Sequence, residues 1–390
     1  MATERMKIAH ILPALSKGGG ERVAVELANH QARAGHEVSV IAAWAVAPAL
    51  LQDSLDPSIK VSFISMAAPS RLERYLAMPA WIWRHRRWLA GQTILHCHLT
   101  YGAIFGTAVS LLRTLSGAGA PAVVETCHAV GMPIPSLQRW LYARLAAGRD
   151  AFALMAEDSY WRNFLAAHPR LLSAFIPNGV SVPNLAGIDV TARLAYRRQA
   201  GIPDNCRLVV GTVGMLRPDR QPWLYIPIFA EITQALGRDV HFLMAGSGSE
   251  LSRLQALVSE HGLSGQVHFP GLAVNAALPI SAMNLYLTLN VGAITGMAAL
   301  EAALAHVPVI GIQLLPQHQN GLKDWIWSSP DPLEVAKRAT ELLRSEMARQ
   351  AMADSQAAYA RQYHSVEAMA GSYNALYAAA VERLQVKAQA

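Results

Sequence analysis

Two series of alternating strand and helix patterns follow one another along this chain. In the first series, the apolar segment Lys7–Leu12 predicts a buried strand, and a glycine triplet at 18–20 separates it from a helix pattern over Glu21–Ala34. Glu37–Trp44 (EVSVIAAW) follows at once and predicts the next strand. Connections this short join strand, helix and strand into a βαβ unit, which requires a parallel sheet.

The same alternation continues through both halves of the chain. In the first half we predict further strands at Ile94–His98, Ala122–Thr126, Ala151–Met155 and Ala174–Ile176, and a helix at Ser136–Arg149. In the second half we predict strands at Leu208–Gly214, Val240–Ala245, Val267–Phe269, Leu285–Leu289 and Val307–Ile312, and helices at Pro222–Leu236, Glu250–His261 and Gly296–Ala305. From Asp331 on, the chain is Ala-rich and helical.

Pro, Asn and Gly concentrate between the two series, in Pro177–Gly187, and this segment is the predicted linker. We therefore expect an α/β protein with two doubly wound, Rossmann-like domains and a C-terminal helical tail. The domains are expected at residues 1–180 and 188–364. The last helix, residues 365–390, is expected to complete the first domain.

Composition excludes several classes of protein and locates the charge. Of the 390 residues, 52% are hydrophobic and 15% charged, so the chain can bury two cores and is not disordered. Three cysteines without CxxC spacing, no run of ~18 apolar residues and no signal peptide lead us to expect a cytoplasmic location. Residues 1–180 carry 17 basic and 11 acidic side chains and residues 181–390 carry 16 of each, so the net charge of +6 arises in the first half.

The segment 71–88 (RLERYLAMPAWIWRHRRW) supplies most of this excess. Arginine interleaved with Trp is typical of a segment that lies in the interface of an anionic membrane, and Pro79 is expected to divide it into two short helices. The alternative is an ordinary surface helix whose Trp side chains pack on the sheet. A nucleic-acid groove shares this composition but fits the rest of the chain poorly, so no nucleic acid is expected as a partner. The residues assigned to this membrane or acceptor patch are Arg71, Arg74, Trp81, Trp83, Arg84, Arg86, Arg87 and Trp88.

Candidate ligand-binding residues follow the predicted strands, because ligands of doubly wound domains bind at the carboxyl ends of the strands. The glycine triplet 18–20 opens a helix, which suits an anion, although it also suits a plain tight turn. Arg217 and Arg220, in the loop that starts at Gly214, could clamp a phosphate or form a solvated basic loop. Glu301 lies in an otherwise apolar helix, where a carboxylate needs a partner such as a ligand hydroxyl.

Histidines also follow two strands. His128 lies in a strand-end loop, where functional residues concentrate, although a lone histidine is more often structural. His96 and His98 flank Cys97, and we expect the two histidines to alternate in direction, so that one of them packs in the core. No carboxylate lies nearby in the sequence and no zinc spacing is present, so no metal site is expected.

An ordered set of motifs resembles the GT-B glycosyltransferases, and within them glycosyltransferase family 4. The motifs are SKGGGERVAVELANHQARAGHEVSVIAAW, IPNGV, GTVGMLRPDR, FLMAGSGSE, VHFPG and ITGMAALEAALAHVPVI. This resemblance covers almost the whole chain. It implies two domains facing across a cleft, with the nucleotide-sugar donor mainly on the C-terminal domain and the acceptor mainly on the N-terminal one. It also implies transfer with retained anomeric configuration, without a metal ion or other cofactor.

The resemblance carries roles to single positions. Gly18 and Gly19 would approach the donor phosphates, and His128 would lie near the donor sugar and the acceptor. Arg220 stands where the family usually has a Lys on the diphosphate, and Glu301 matches the Glu that holds the nucleotide ribose. The expected catalytic residues are therefore His128, Arg220 and Glu301. The expected donor-binding residues are Gly18, Gly19, Gly214, Arg217, Arg220, Thr295, Gly296, Met297 and Glu301.

Three positions depart from the family pattern. Ala293 replaces a Glu that contacts the donor sugar, Met215 replaces an Arg, and His306 replaces a Gly. Arg217 can compensate for the cation lost at Met215. A missing charged hydrogen bond costs about 1.5–3 kcal/mol, enough to weaken a site tenfold or more. The departures therefore favour an altered donor or a chain with little activity by itself.

These observations predict a retaining, hexosyltransferase-type enzyme. It would move a sugar from a nucleoside-diphosphate sugar to a glycan or lipid-linked acceptor in bacterial polysaccharide or lipopolysaccharide biosynthesis. We expect it in the cytoplasm or peripherally on the inner face of the cytoplasmic membrane. The alternatives are a weakly active or inactive homologue that serves as a binding or scaffold subunit, and a GT-B enzyme that acts on a soluble small molecule.

Overall fold

The computed structural model of the chain describes residues 5–16, 18–45, 52–65, 73–116, 121–128, 136–145, 148–155, 159–182, 188–273, 276–290, 296–313 and 325–389. The chain divides into two compact units. Unit 1 comprises Met1–Gly179 and Val366–Ala390, and unit 2 comprises Val180–Ser365. The chain therefore leaves unit 1 once and returns to it for its last helix.

Unit 1 is built on a parallel sheet. Its strands are β1 (Lys7–Leu12), β2 (Glu37–Trp44), β3 (Lys60–Ser65), β4 (Ile94–His98), β5 (Ala122–Cys127), β6 (Ala151–Leu154) and β7 (Leu172–Phe175). Its first six helices are α1 (Gly19–Arg33), α2 (Glu73–Arg84), α3 (Arg86–Ala90), α4 (Leu99–Ser116), α5 (Ser136–Leu145) and α6 (Ser159–Ala167). The sheet has seven strands in the order β3-β2-β1-β4-β5-β6-β7.

The helices of unit 1 cover both faces of this sheet. On one face, Phe105 and Val109 of α4 pack with Leu95 of β4. On the other face, Val25 and Ala28 of α1 pack with Val40 of β2. Strands covered on both faces must be apolar along their length, and β5 is buried at every position. The predicted doubly wound fold is confirmed in this unit. The edge strand β3, which is only half-buried, has no clear apolar pattern and was not predicted.

Two helix predictions in unit 1 are wrong in their boundaries: the basic segment forms two helices, as predicted, but Pro79 does not divide them, and the helix predicted at Ser136–Arg149 is shorter. Helix α2 runs through Pro79. Proline has no N–H to donate to the carbonyl four residues earlier, but Pro79 lies on the exposed face of the helix, so water can donate to that carbonyl instead. The break falls at His85, between α2 and α3. Helix α5 ends at Leu145, and Arg149, predicted to belong to it, is buried and paired with Glu125 of β5.

Unit 2 is a second α/β layer structure. Its strands are β8 (Leu208–Val213), β9 (Val240–Ala245), β10 (Val267–His268), β11 (Leu285–Asn290), β12 (Val309–Gln313) and β13 (Ser328–Ser329). Its helices are α7 (Val190–Gln199), α8 (Tyr225–Leu236), α9 (Leu251–Glu260), α10 (Ala277–Ser281), α11 (Met297–Leu304), α12 (Pro332–Arg344) and α13 (Glu346–Tyr363). The six strands are parallel and lie in the order β10-β9-β8-β11-β12-β13.

Both faces of the second sheet carry an apolar core. Side chains also cap the N-termini of α12 and α13. Phe229 of α8 stacks on Phe242 of β9 on one face, and Leu300 of α11 packs on the other. Asp331 and Ser345 accept hydrogen bonds from backbone N–H groups in the first turns of α12 and α13. Such caps satisfy N–H groups that have no partner inside the helix.

Two boundaries in unit 2 differ from the prediction for backbone reasons. Gln221 is left-handed, with φ of 47°, and Pro222–Leu224 form a 3-10 turn, so α8 starts only at Tyr225. Likewise His306 is left-handed, with φ of 57°, and the N–H of Val307 still bonds to the carbonyl of Ala302. Strand β12 therefore begins two residues later than predicted.

The last helix, α14 (Val366–Gln389), belongs to unit 1 and packs beside α1. It contributes Tyr373 and Tyr377, two of the largest fully buried side chains of the protein. Among the described residues, no helix is long and apolar enough to cross a membrane.

Candidate functional site

Each sheet has one point at which the strand order reverses. Ligands of doubly wound sheets bind at the carboxyl ends of the strands that flank this point. In unit 1 the reversal lies between β1 and β4, and in unit 2 it lies between β8 and β11. The candidate residues follow these four strands and β5, so the topology places them at the ligand-binding edge of each unit.

In unit 1 the start of α1 lies against His128. Gly18 precedes the helix in an extended conformation, and Gly19 has open space where a side chain would be. A Cβ on Gly20 would lie 3.2 Å from Cγ and from Nδ1 of His128, so only a glycine fits here without displacement. Residues that follow β1 and β5 in the sequence are thus brought together at one edge.

Four histidines lie side by side at this edge. His10 of β1 and His96 and His98 of β4 are fully buried, and His128 after β5 is half-buried. The expectation that His96 and His98 point in opposite directions is wrong: residues two apart in a strand share a face, and these rings lie 4.0 Å apart between centroids. The side chain that points to the opposite face is Cys97.

Burial keeps these imidazoles neutral. It lowers the pKa of His10 and of His128 to about 4, and holds the pKa of His96 and of His98 well below the usual value. On the opposite face, burial raises the pKa of the Cys97 thiol to about 12. This cysteine is therefore not a nucleophile at neutral pH.

A hydrogen-bond network connects the histidines, and sequence analysis did not find it. His10 Nε2 lies 2.8 Å from Gln31 Oε1, and His10 Nδ1 lies 3.0 Å from His98 Nε2. His98 Nδ1 lies 3.2 Å from His128 Nε2. The sequence signal was present, because a histidine within the apolar strand KIAHIL must find a polar partner once the strand is buried.

Three of these histidines also have the geometry of a metal cluster. One ring nitrogen from each of His10, His96 and His98 lies within 4.8 Å of the others. All six of their ring nitrogens, however, have hydrogen-bond partners in the protein, the partners of His96 being Thr126 and Tyr377. A metal ion would have to displace these bonds, so the geometry favours a hydrogen-bond network.

In unit 2 the loop after β8 is clamped to the loop after β9. The Gly214 N–H donates to the carbonyl of Ala245, and the Leu216 N–H donates to the carbonyl of Ser247. A side chain at Gly246 would collide with the carbonyl oxygen of Gly214, and one at Gly248 with that of Leu216. The glycines of the motif FLMAGSGSE therefore permit this contact between two backbones and fix the loop that carries the arginines.

The two arginines of this loop share one carboxylate. Arg217 donates to both oxygens of Asp219, and Arg220 Nε lies 3.7 Å from the same carboxylate. All three side chains are about half-exposed. The half-buried Met215 stands two residues before Arg217. The loop thus presents two guanidinium groups and one carboxylate, a smaller positive charge than the arginines alone suggest.

Glu301 is buried on α11. Its side chain is 7% exposed, and its charge helps to raise the pKa of Tyr286 to about 12, although burial is the larger cause. The Tyr286 hydroxyl accepts from the N–H of Val213 and lies 3.1 Å from the carbonyl of that residue, which ties β11 to the end of β8. Gly296 precedes Met297, the first residue of the helix. Thr295 and Ala293 lie outside the described residues.

The basic segment of unit 1, which forms α2 and α3, packs one side on the core and exposes the other side. Trp81 is half-buried: it stacks on His85 and contacts Phe105, so part of its ring packs on the core, and its place in the outer patch stays a prediction. Trp83 is 61% exposed, and Arg86 lies over its ring at 4.5 Å from the centroid. Exposed residues of this outer face are Leu76, Trp83, Arg84, Arg86, Arg87 and Trp88. Arg71 and the side chain of Arg74 lie outside the described part of the chain.

Comparison with known proteins identifies the class. Residues 17–182 match the family model of Glycosyltransferase Family 4, and residues 207–345 match that of Glycosyl transferases group 1. A 2-deoxystreptamine glucosyltransferase of Streptomyces kanamyceticus is 28% identical over 221 residues, a match that spans 54% of this chain and 53%, about half, of that enzyme.

Solved structures show the same architecture. Anabaena Alr3699/HepE, determined with UDP and glucose, has a TM-score of 0.73 at 15% identity, over 95% of this chain and 98% of that one. WaaG, a glycosyltransferase involved in lipopolysaccharide biosynthesis, has a TM-score of 0.64 at 18% identity, over 93% and 98%. The fold and these matches define a glycosyltransferase of the GT-B class. Within that class, the first half of the chain carries a Glycosyltransferase Family 4 domain and the second half a Glycosyl transferases group 1 domain, which confirms the resemblance predicted from the motifs.

Proposed function

We propose that this glycosyltransferase moves a hexosyl group from a nucleoside-diphosphate sugar to an acceptor hydroxyl with retention of anomeric configuration. The observation that carries the proposal is the strand reversal of unit 2. The start of α11, the buried Glu301 and the loop with Arg217 and Arg220 all follow the two strands at this point. A diphosphate needs cations and free N–H groups, and a ribose needs a buried hydrogen-bond acceptor.

Each group has a separate task in the proposed reaction. Arg220, together with Arg217 and the N–H groups at the start of α11, stabilises the charge that develops on the leaving diphosphate. Glu301 accepts hydrogen bonds from the ribose hydroxyls. The acceptor hydroxyl attacks the anomeric carbon from the face that the diphosphate leaves, the bond from that carbon to the diphosphate breaks, and the hydroxyl proton passes to the departing phosphate oxygen. Neutral His128 orients a sugar hydroxyl and forms no covalent bond. No metal ion is part of this proposal.

The donor is tested by calorimetry with UDP, GDP and ADP. UDP is the first candidate, because the structural neighbour HepE was determined with UDP and with UDP-glucose. We expect one nucleoside diphosphate to bind, and Glu301→Gln to weaken it about tenfold through loss of a charged hydrogen bond. Glu341→Gln, which changes an exposed carboxylate of the same unit, is the matched control.

Turnover decides between an enzyme and an inactive homologue. Hydrolysis or transfer with the matching nucleotide sugar would support the enzyme. Binding of the nucleotide with complete inertness toward every donor and acceptor would instead favour the binding or scaffold subunit. The departures at Ala293 and Met215 are the reason for this second arm.

Two acceptor classes have a specific observation in their favour. The outer face of α2 and α3, with Trp83 beside three exposed arginines, favours a lipid-linked or glycan acceptor at an anionic membrane. The 28% identical relative favours a soluble acceptor, since its name gives 2-deoxystreptamine as the molecule glucosylated. We propose the lipid-linked or glycan acceptor first, because the patch is a property of this chain itself.

Vesicle flotation separates the two classes. Vesicles with anionic lipid should bind the protein, and the double variant Trp83→Ala/Arg86→Ala should release it. Trp327→Ala/Arg238→Ala removes an exposed Trp and an exposed Arg from unit 2 and should leave binding unchanged. If the wild-type protein ignores anionic vesicles but glycosylates a soluble aminocyclitol, the membrane-side acceptor is refuted.

A further inference from the structure

The hydrogen bonds around the four histidines form two arms that meet at Gln31. The first arm runs from Gln31 through His10 and His98 to His128, with separations of 2.8, 3.0 and 3.2 Å. It crosses the neighbouring strands β1 and β4 and ends in the loop after β5. His128, its last member, is half-buried, whereas the other three members are fully buried. The first arm therefore connects the core to the candidate site.

The second arm fixes the orientation of the Gln31 amide. Gln31 Nε2 donates to the hydroxyl of Tyr377 at 3.3 Å, and that hydroxyl lies 2.6 Å from His96 Nδ1. A separation of 2.6 Å is shorter than bonds donated by N–H groups, roughly 2.7–3.2 Å, and fits a hydroxyl donor. We therefore assign Tyr377 as the donor to His96, so that its oxygen accepts from Gln31 Nε2 and Gln31 Oε1 faces His10.

The direction of every bond in the first arm follows from this orientation. A neutral imidazole carries one N–H, so a nitrogen that accepts forces its partner nitrogen to donate. His10 Nε2–H donates to Gln31 Oε1, and His10 Nδ1 accepts from His98 Nε2–H. His98 Nδ1 then accepts from His128 Nε2–H. The remaining nitrogen of His128, Nδ1, is left with a lone pair and no proton.

The ring of His128 lies beside the start of α1. Nδ1 of His128 lies on the side of Gly20, at the position from which a Cβ on that residue would be only 3.2 Å away. Gly19, one residue earlier, leaves its side-chain position open. A neutral Nδ1 at this edge can accept a hydrogen bond from a hydroxyl and cannot donate one.

We propose that Gln31, His10 and His98 are positioning residues that hold His128 in the Nε2–H tautomer, so that its Nδ1 accepts a hydrogen bond from a hydroxyl of a sugar substrate. The proposal rests on the glycosyltransferase function proposed above. It adds which residues determine whether His128 donates or accepts the hydrogen bond to the sugar. That hydroxyl belongs either to the donor sugar or to the acceptor, and deoxygenated analogues of each distinguish the two sources.

The tautomer is measured without substrate. In protein labelled with ¹⁵N-histidine, long-range ¹H–¹⁵N correlation distinguishes a protonated ring nitrogen from an unprotonated one, and His128→Asn identifies the signals of His128. We expect a proton on Nε2 and none on Nδ1. A proton on Nδ1 of His128 in the wild-type protein would overturn the proposal, whatever the variants do.

Variants then test the arm. Gln31→Met removes the acceptor that fixes His10, so His128 should populate both tautomers, and kcat should fall about two- to tenfold in proportion to the competent fraction. Gln266→Met is the matched control, since it makes the same change at a buried glutamine of unit 2 that bonds to the carbonyl of Val240 and belongs to neither arm. It should leave the His128 signals and kcat unchanged. A shifted tautomer in Gln31→Met with unchanged kcat overturns the positioning role.

The two proposals fail in different ways. A wild-type protein that is inert toward every nucleotide sugar, yet shows His128 protonated on Nε2, contradicts the proposed function and leaves the tautomer assignment standing. An active wild-type protein with a proton on Nδ1 contradicts the positioning proposal alone. If the arm acts, deletion of one hydroxyl of the donor or of the acceptor should abolish the difference in kcat between wild type and Gln31→Met.

Discussion

Asp219 holds the guanidinium group of Arg217 with both carboxylate oxygens, at 3.0 and 2.9 Å from Nε and Nη2. The same carboxylate lies 3.7 Å from Nε of Arg220. The two cations proposed to bind a diphosphate therefore already share an anion. Because all three side chains are about half-exposed, this arrangement is worth no more than about 1 kcal/mol, and a diphosphate can replace it.

Asp219→Asn should lower the KM for the nucleotide-sugar donor severalfold, because the substituted amide no longer competes for the arginines. The effect should shrink at high salt, as expected for exposed charges. Steady-state kinetics at two ionic strengths measure both quantities. Glu341→Gln, in the exposed Arg338–Glu341 pair of the same unit, should change neither. An increase in KM for Asp219→Asn would mean that the carboxylate orients the arginines instead of competing for them.

The first two glycines of α1 should respond differently to alanine. Gly20→Ala places a methyl group against His128 and Leu99, so both the melting temperature and kcat should fall. Gly19→Ala meets no atom within 4 Å and replaces glycine in a helix, so the melting temperature should hold or rise. Its activity should still fall if the donor phosphates approach this backbone. Equal melting temperatures for both variants would contradict the close packing at Gly20.

Stability should fall below pH 6.5. Burial lowers the pKa of His10 and His128 to about 4, against 6.5 in the unfolded chain, and His268 of unit 2 behaves alike. Between pH 4 and pH 6.5 the unfolded state binds more protons than the folded state. The free energy of unfolding therefore has its full value above pH 6.5 and decreases as the pH falls toward 4. Each fully buried histidine contributes about 1 kcal/mol per pH unit in this window.

Urea unfolding at pH 7.5 and pH 5 measures this decrease. His10→Asn removes one of the buried titrating groups and should reduce the difference between the two pH values. His261→Asn, which changes an exposed histidine of unit 2, is the control. A free energy of unfolding that is the same at both pH values would show that the buried imidazoles gain protons without cost.

The left-handed residue after α11 allows a further test. His306 has φ of 57°, which costs a side chain about 1 kcal/mol, and its ring bonds to Asp354 and Arg361 at 2.9 and 2.7 Å. His306→Gly loses these exposed bonds but also loses the backbone strain, so stability should change little. His306→Ala keeps the strain and should be about 1 kcal/mol less stable than His306→Gly. Denaturant unfolding at pH 7.5 decides, and an alanine variant as stable as the glycine variant would contradict the strain.

The sequence was most informative where a pattern is local. The strand Lys7–Leu12 was predicted to the residue, because its apolar run and the glycines after it are contiguous. Arg149 was wrongly predicted to lie in a helix, because its partner Glu125 lies in β5, 24 residues away, and no local sequence pattern predicts a buried ion pair. Gln31 was missed for the same reason: its partners His10 and Tyr377 lie 21 and 346 residues away.

The return of the chain to unit 1 has a consequence during protein synthesis. Tyr373 and Tyr377, which close the histidine network, lie in α14, and all of unit 2 is translated between Gly179 and this helix. At roughly 5–20 residues per second, the ribosome needs about 10–40 s for that stretch. Unit 1 is translated first but cannot complete its buried hydrogen-bond network until α14 is made. Unit 2 is translated later and can finish folding before unit 1 does.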